Sequence, residues 1–339
     1  MGVKLKSLVQ PKQISLEELK GKVLAVDAFN MMYQFLTTII QRDGRPLVNH
    51  DGQITSHLNG LFYRCTRFME HGLKLVFVFD GKPPALKVHE AERRAALKTK
   101  ATLMMKAAEE RGDADEMRKY ASRTARLTPE MVEESKELLT LLGIPFIQAP
   151  SEGEAQAAFM TRQGDADAVV SQDFDSLLFG CTQVVRNLSI EGKRKKAGKM
   201  QYTVVQPEII SLADMLNTLG IDRDKLIALG MLVGTDFNPG GIPGIGPARA
   251  LKLVKESQSI SDIFQKAEWD KHIHTNWNDI FTLFKEMPVE KNYNLQWKKP
   301  ELKKLRSMLV EKHDFAEERV DTKLKKFTMA QQAGLGRWA

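Results

Sequence analysis

At 339 residues, with 27% charged and 42% hydrophobic side chains, the chain has the make-up of a folded, water-soluble protein large enough for one big α/β domain or two smaller ones. No apolar run approaches the roughly 20 residues that cross a bilayer. The start, MGVKLKSLVQ, lacks a secretory apolar core and carries Lys6 where a myristoylation signal has Ser or Thr, so an intracellular protein without a membrane partner is expected. Cys65 and Cys181 stand alone, with no CxxC, and predict two buried thiols rather than a disulfide framework or a zinc site.

In chain order, SLEEL at 15–19 has the Ser15 to Glu18 spacing of a capping box. VLAVDAF at 23–29 and LKLVFVFD at 73–80 are continuous apolar runs, the mark of strands buried on both faces of a parallel sheet. The stretch 82–126 breaks that rhythm. It is rich in Lys, Arg, Ala and Glu, is interrupted by GDAD at 112–115, and reads as a helix pair that projects from the body. Between Lys82 and Lys106 seven basic residues face two acids, Glu90 and Glu92, so this one stretch supplies most of the chain's net charge of +7.

TPEMVEESKELLTLLG follows, with Thr128 as N-cap, Pro129 in the first turn and Gly143 as the stop of a helix. PFIQAP at 145–150 and DAVVSQD at 167–173 are two further, shorter strands. A second basic cluster, EGKRKKAGK at 191–199, reads as a nuclear signal or, as the favoured alternative, as the tip of a β-hairpin touching DNA. Both clusters suggest a polyanionic partner, nucleic acid before membrane. From about 207 the chain reads as all helix, and from Thr328 as a loose tail. The alternation of strands and helices predicts an α/β fold, a doubly wound, mostly parallel sheet flanked by helices.

Three of the apolar runs end on an aspartate: Asp27, Asp80 and Asp173, with Asp175 two residues further on. APSEGEAQ leaves a strand at Pro150 and enters a helix through Ser151, which brings Glu152 and Glu154 to the same carboxyl edge of the sheet. Asp236, in LVGTDFN, is a seventh acid, between an apolar helix and a glycine-rich turn. One strand-end aspartate commonly caps the next helix. Six at one edge are different, because two carboxylates about 4 Å apart repel by ~1 kcal/mol in water and ~4 kcal/mol at an effective dielectric of about 20. Such a cluster takes up protons or binds cations. Without His or Cys among them, oxygen-only ligation selects Mg²⁺ or Mn²⁺ over zinc. Asp173 and Asp175, read as lying in an extended segment, would point to one side and share a cation. Two cations held this way suit hydrolysis of a phosphodiester.

GTDFNPGGIPGIGPARALKLV at 234–254 sets a Gly/Pro turn between two helical patterns, as in a helix-hairpin-helix module. Gly241, Gly244 and Gly246 would let backbone N–H groups approach DNA phosphates, with Arg249 and Lys252 nearby. At the C-terminus Gln332, Leu335 and Trp338 have the spacing Q-x-x-L-x-x-aromatic, a short apolar anchor for a partner's pocket.

Together VLAVDAFNMMYQFL, VFDGKPP, APSEGEAQAA, SQDFDSLLFG and GTDFNPGGIPGIGPARAL resemble the flap endonucleases of the structure-specific 5′ nuclease superfamily, in family order up to about residue 258, with an archaeal cast to the tail. The resemblance implies that the seven acids hold two Mg²⁺ ions, with Mn²⁺ able to substitute. The first would rest on the acids around Asp80 and Glu152, the second on those around Asp173. It implies that Lys87 and Arg94 face the scissile phosphate from the base of a helical arch, that Tyr33 stacks on a nucleobase, that Arg64 contacts a phosphate and that Gly2 lies near the site. VHEAERR is poorer in Lys than the family's arch, and Ala339 follows Trp338 where two aromatics are common.

The implied organisation is an N-terminal nuclease region at 1–98, the arch at 99–126 with its base from about 82, and an internal nuclease region at 127–258 with the helix-hairpin-helix at 224–256. A C-terminal helical region at 259–327 and a flexible clamp-binding tail at 328–339 complete it. The implied function is removal of 5′ flaps in replication (Okazaki fragment maturation) and repair, with 5′–3′ exonuclease activity, by a DNA-associated monomer tethered to a sliding clamp. A clamp-tethered DNA scaffold and a junction resolvase on the same scaffold are the alternatives.

Overall fold

The computed structural model describes residues 3–41, 44–190, 192–195 and 202–332. Seven of its nine strands form one sheet: β1 (Lys12–Gln13), β2 (Val23–Asp27), β3 (Lys74–Phe79), β4 (Phe146–Gln148), β5 (Ala168–Val170), β6 (Gln183–Arg186) and β9 (Glu208–Ser211). The other two, β7 (Gly192–Lys195) and β8 (Tyr202–Val205), pair as an antiparallel hairpin, as the basic cluster predicts; Lys196 and Lys199 lie outside the described residues. The sheet order is β1-β9-β6-β5-β2-β3-β4, and the five strands from β6 to β4 run parallel. The chain leaves β2 for β3 on one side and returns to it through β5 on the other. The crevice at the carboxyl ends of β2 and β5 is therefore the switch point at which open α/β sheets bind ligands.

The helices are α1 (Ala28–Thr38), α2 (Ser56–Glu70), α3 (Val88–Glu110), α4 (Ala114–Thr124), α5 (Pro129–Leu141), α6 (Gly153–Gln163), α7 (Asp175–Leu178), α8 (Leu212–Leu219), α9 (Arg223–Val233) and α10 (Pro247–Glu256), followed by α11 (Ile260–Lys266), α12 (Trp269–His272), α13 (Trp277–Glu286), α14 (Leu302–Arg306) and α15 (Glu317–Gln332). Alternate residues of each central strand bury on opposite faces. Leu24, Val26, Phe77 and Phe79 pack with Met31, Phe62 and Leu138 of α1, α2 and α5. Ala25, Val76, Val78 and Val169 pack with Ala158, Leu177 and Leu229 of α6, α7 and α9. This two-sided burial is why the strands read as unbroken apolar runs. Cys65 and Cys181 are free and buried within these cores.

The local signals have clear structural counterparts. Thr128 accepts from the Met131 N–H at 3.3 Å and opens α5, and Glu18 accepts from the Ser15 N–H at 2.7 Å. The segment 88–124 is a helix pair whose buried apolar positions, among the described residues, are the small Ala101, Ala108 and Ala121, so α3 and α4 pack there without large apolar residues.

Three expectations are corrected. The chain after 207 is not all helix: β9 joins the sheet, and residues 287–301 form an irregular strap between α13 and α14, fixed by the Trp297 indole N–H to Leu75 O bond of 2.8 Å. Strands β6 and β9 were not foreseen, being four-residue segments too short to show a period. Asp173 and Asp175 do not share an extended segment, since β5 ends at Val170 and Asp175 begins α7.

Candidate active site

Adjacent parallel strands deliver the acids. Asp27 is the last residue of β2 and N-cap of α1, its Oδ1 accepting from the Asn30 N–H at 2.9 Å. Asp80 follows β3 and accepts on Oδ1 from the Gly153 N–H at 2.7 Å, so the first turn of α6 is tied to the neighbouring strand end. Glu152 is the residue before α6 and Glu154 lies in its first turn, reached by the Ser171 hydroxyl at 3.3 Å. Beyond β5, Asp173 accepts from the Asn30 side-chain amide at 2.9 Å, and Asp175 from the Val3 N–H at 2.8 Å. Asp236 comes from the turn after α9, which is braced by Asn238 donating to Met231 O at 2.6 Å and by the 2.7 Å contact of Thr235 Oγ1 with Asn238 Oδ1.

Burial and mutual repulsion act on these groups together. Burial first, then the Asp80 charge, pushes Asp27 up to about 8. Burial, with Asp236 and Asp173 adding to it, pushes Asp175 up to about 7 against the lowering effect of the Val3 N–H. Glu154 is raised well above the usual carboxylate range by burial and then by Asp175 and Asp27. Asp80 and Glu152 are raised too, chiefly by burial. Several of these carboxyls are therefore short of positive charge.

The base of the arch supplies some. Lys87 Nζ pairs with Glu152 and stands 3.6 Å from Asp236 Oδ2; burial opposes its charge, but Glu152 and Asp236 outweigh that and raise its pKa. Arg94 donates through Nη2 to Asp236 Oδ1 at 2.6 Å. Among the described residues no three His, Cys, Asp or Glu side chains close into a ready ligand cage. The fit to a divalent metal thus lies in donor chemistry: oxygen ligands only, in excess, at a buried edge. That suits a hard divalent cation, which takes oxygen ligands and can keep some of its waters.

Two family models match the chain, the XPG N-terminal domain over residues 1–101 and the XPG I-region over residues 143–236. The flap endonuclease 1 of Hyperthermus butylicus is 48% identical over 348 residues, spanning 100% of this chain and 99% of the relative. The chain belongs to the flap endonuclease family. It is a hydrolase, a structure-specific 5′ nuclease, and nucleases of this family depend on metal. Among solved structures, the flap endonuclease of Methanococcus jannaschii superposes with a TM-score of 0.75 at 43% identity, covering 96% of this chain and 98% of that one. The catalytic core of Rad2, solved in complex with a DNA substrate, superposes with a TM-score of 0.68 at 25% identity, covering 94% of this chain and 96% of that one.

In this flap endonuclease chain the remaining predicted residues fall into separate places. The Tyr33 ring on α1 carries Lys98 Nζ of α3 at 4.8 Å from its centroid. Arg64 stands apart from the acids, in a groove with Tyr63, Arg319 and Lys323 between α2 and α15. Gly244 and Gly246 are exposed ahead of α10, with Arg249 Nη1 reaching Gly244 O at 3.4 Å and Lys252 3.8 Å from Glu256. Gly241 is different. Its N–H is spent on Asn238 O at 3.1 Å, its φ is +61°, and a methyl there would collide with the Leu232 carbonyl, so the fold itself demands this glycine. Gly2, Leu335 and Trp338 lie outside the described residues, as does the side chain of Gln332. Among the described residues no helix is long and apolar enough to cross a membrane.

Sequence reasoning missed the groups that hold the acids in place, Asn30, Ser171 and the Val3 N–H, and it missed Glu90, which holds Arg94. Asn30 sits three residues after Asp27 on the capped turn, a spacing that could have flagged it. Nothing in the sequence marks the Val3 N–H, because every residue but proline carries one.

Proposed function

We propose that this protein cuts DNA bearing a displaced 5′ single strand, near its junction with duplex, using Mg²⁺ held by Asp27, Asp80, Glu152, Glu154, Asp173, Asp175 and Asp236. The observation that carries the reading is the meeting of acids from four neighbouring strand ends and the Asp236 turn with Lys87 and Arg94 from the arch base. Two divalent cations at that edge supply Lewis-acid activation of the phosphodiester and of a water at neutral pH.

The chain's own groups do the rest. Lys87, paired with Glu152, and Arg94, paired with Asp236, stand where they would present positive charge to the scissile phosphate. Tyr33 offers a stacking face to a nucleobase, and Lys98, midway along α3, sits over that ring. The pair α3 and α4 encloses the single strand. Gly244, Gly246, Arg249 and Lys252 grip duplex backbone without reading bases, and Arg64 takes a further phosphate, so affinity falls steeply with salt. Gln332, Leu335 and Trp338 tether a monomeric enzyme to a DNA sliding clamp, and Trp338→Ala reduces the ratio of clamp-stimulated to unstimulated cutting to about one.

The deciding experiment incubates the purified protein with 5′-flap, blunt duplex and four-way DNA in Mg²⁺ and in chelator. The flap is cut fastest, and only with metal. Asp173→Ala binds the flap but does not cut it. Equal cutting of all three DNAs, or a fully active Asp173→Ala, contradicts the reading.

A further inference from the structure

Glu90 lies in the first turn of α3 and is only 2% exposed, whereas Glu92, Glu109 and Glu110 on the same helix are exposed. Both of its oxygens are engaged. Arg93 donates through Nε at 2.6 Å to Oε2 and through Nη2 at 2.7 Å to Oε1, and Arg94 donates through Nε at 2.7 Å to Oε1. Arg94 then reaches Asp236 with the far end of the same guanidinium, Nη2 to Oδ1 at 2.6 Å. One planar group therefore bridges a carboxylate of the arch and a carboxylate of the acid cluster. Glu90, Arg93 and Asp236 also line one concavity of about 510 Å³ with Lys4 and Gly240, so the arrangement stands at the mouth of the site and not on a solvated helix face.

An ordinary glutamate four residues before an arginine on a helix surface is worth ~0.2–0.5 kcal/mol and is open to water. Glu90 is out of water, and a buried carboxylate is retained only where cations satisfy it. Burial works to raise its pKa, and the hydrogen bonds from Arg93 and Arg94 more than offset that, so it stays charged. The guanidinium geometry decides what this does for Arg94. With Nε held by Glu90, the plane of the fork is fixed and its distal nitrogens point at the cluster. Were Asp236 to hold a cation, Arg94 would still have Glu90 as a partner and would stay at the mouth of the site.

We propose that Glu90 is a positioning residue, which holds Arg94 by its Nε edge so that the distal nitrogens meet the scissile phosphate, with Arg93 fixed beside it. This rests on the reading of Arg94 as a group that faces the phosphate. A misplaced catalytic group costs up to ~100-fold in rate, and loss of one charge-stabilising donor costs about 100-fold or more.

The test is a double-mutant cycle in single-turnover cleavage of a 5′-flap DNA by the full chain in Mg²⁺, with flap Kd measured alongside. Arg94→Ala slows cleavage about 100-fold. Glu90→Gln, close to the parent in size, slows it about 10-fold with Kd changed less than about 3-fold, and Glu90→Asp recovers part of the rate. In the Arg94→Ala background Glu90→Gln costs less than about 2-fold, because its effect passes through the missing guanidinium. Glu90→Gln cutting at the parent rate, or slowing both backgrounds equally, overturns the proposal. If Glu90→Gln does not fold, the cycle is run with Glu90→Asp and the same two results decide. Arg94→Ala cutting at the parent rate instead removes the reading of Arg94 beneath it.

Discussion

The backbone N–H of Val3 donates to Asp175 Oδ1 at 2.8 Å, joining the first described residue to the acid that opens α7 across 172 positions of sequence. Val3 is itself buried in the core that contains Leu177, so the same residue anchors the chain start by packing and orients an acid by its main chain. Deleting residues 1–4 removes both. The expected results are a loss of about 1.5–3 kcal/mol from the buried valine and a single-turnover rate lowered by more than about 10-fold, with flap affinity little affected. Thermal denaturation and quenched-flow cleavage measure the two effects. An unchanged rate in the deleted protein contradicts this role for the Val3 N–H.

Gly153 opens α6 with its N–H on Asp80 at 2.7 Å, and a methyl placed on it would lie 2.6 Å from Asp80 Oδ1. Gly153→Ala therefore pushes Asp80 away and tilts the turn that carries Glu152 and Glu154. Cleavage is expected to fall by about 100-fold, the scale of a 1 Å misplacement, while circular dichroism reports a folded protein. Restored cutting when Mn²⁺ replaces Mg²⁺ would point to weakened cation binding as the cause.

The raised carboxyls give stability a definite pH dependence. Asp27 and Asp175, ordinarily at 3.8, sit near 8 and 7 in the fold, so the folded state holds their protons where the unfolded chain has lost them. Their contribution is present below pH 3.8 and is withdrawn as pH climbs to 7–8. Divalent cations favour the ionised form, so the rise in Tm on adding Mg²⁺ is expected to grow from about pH 5.5 to about pH 8. Differential scanning calorimetry of the parent and Asp27→Asn reads this directly. A Mg²⁺-induced Tm shift equal at both pH values, or equal in parent and variant, goes against it.

The glycine-rich turn divides by role. Gly241→Ala meets the Leu232 carbonyl at a positive φ and is expected to lower stability by about 1–3 kcal/mol, visible in Tm. Gly246 has open space around it and a φ of −87°, so Gly246→Ala costs at most the ~1 kcal/mol of a poorer helix cap and is expected to weaken duplex binding instead. Fluorescence anisotropy with duplex DNA at two salt concentrations separates them.

Much of this architecture could be read before the structure. Strands β2 and β3 read as long apolar runs because both faces are covered, and the acids that follow them announce one edge of a parallel sheet. What was misread is short or relational. Asp173 and Asp175 look like an i, i+2 pair in a strand, yet the chain turns after Val170 and each acid is held by a different partner, Asn30 and Val3. Gly241 looks like a phosphate contact, but its N–H already serves the turn. Glu90 looks like a stray counter-charge in a basic helix. Its burial and its grip on two arginines depend on where α3 leaves the body, which no local pattern encodes.

On the proposed function, acids from strand ends far apart in sequence tolerate one another because divalent cations come between them. Anomalous diffraction at the manganese edge, from crystals grown with Mn²⁺ and a 5′-flap DNA, tests it most directly. Two peaks are expected among these carboxylates, one toward Asp80 and Glu152 and one toward Asp173. Density free of anomalous signal throughout the cluster, with Lys87 and Arg94 still on Glu152 and Asp236, would contradict it.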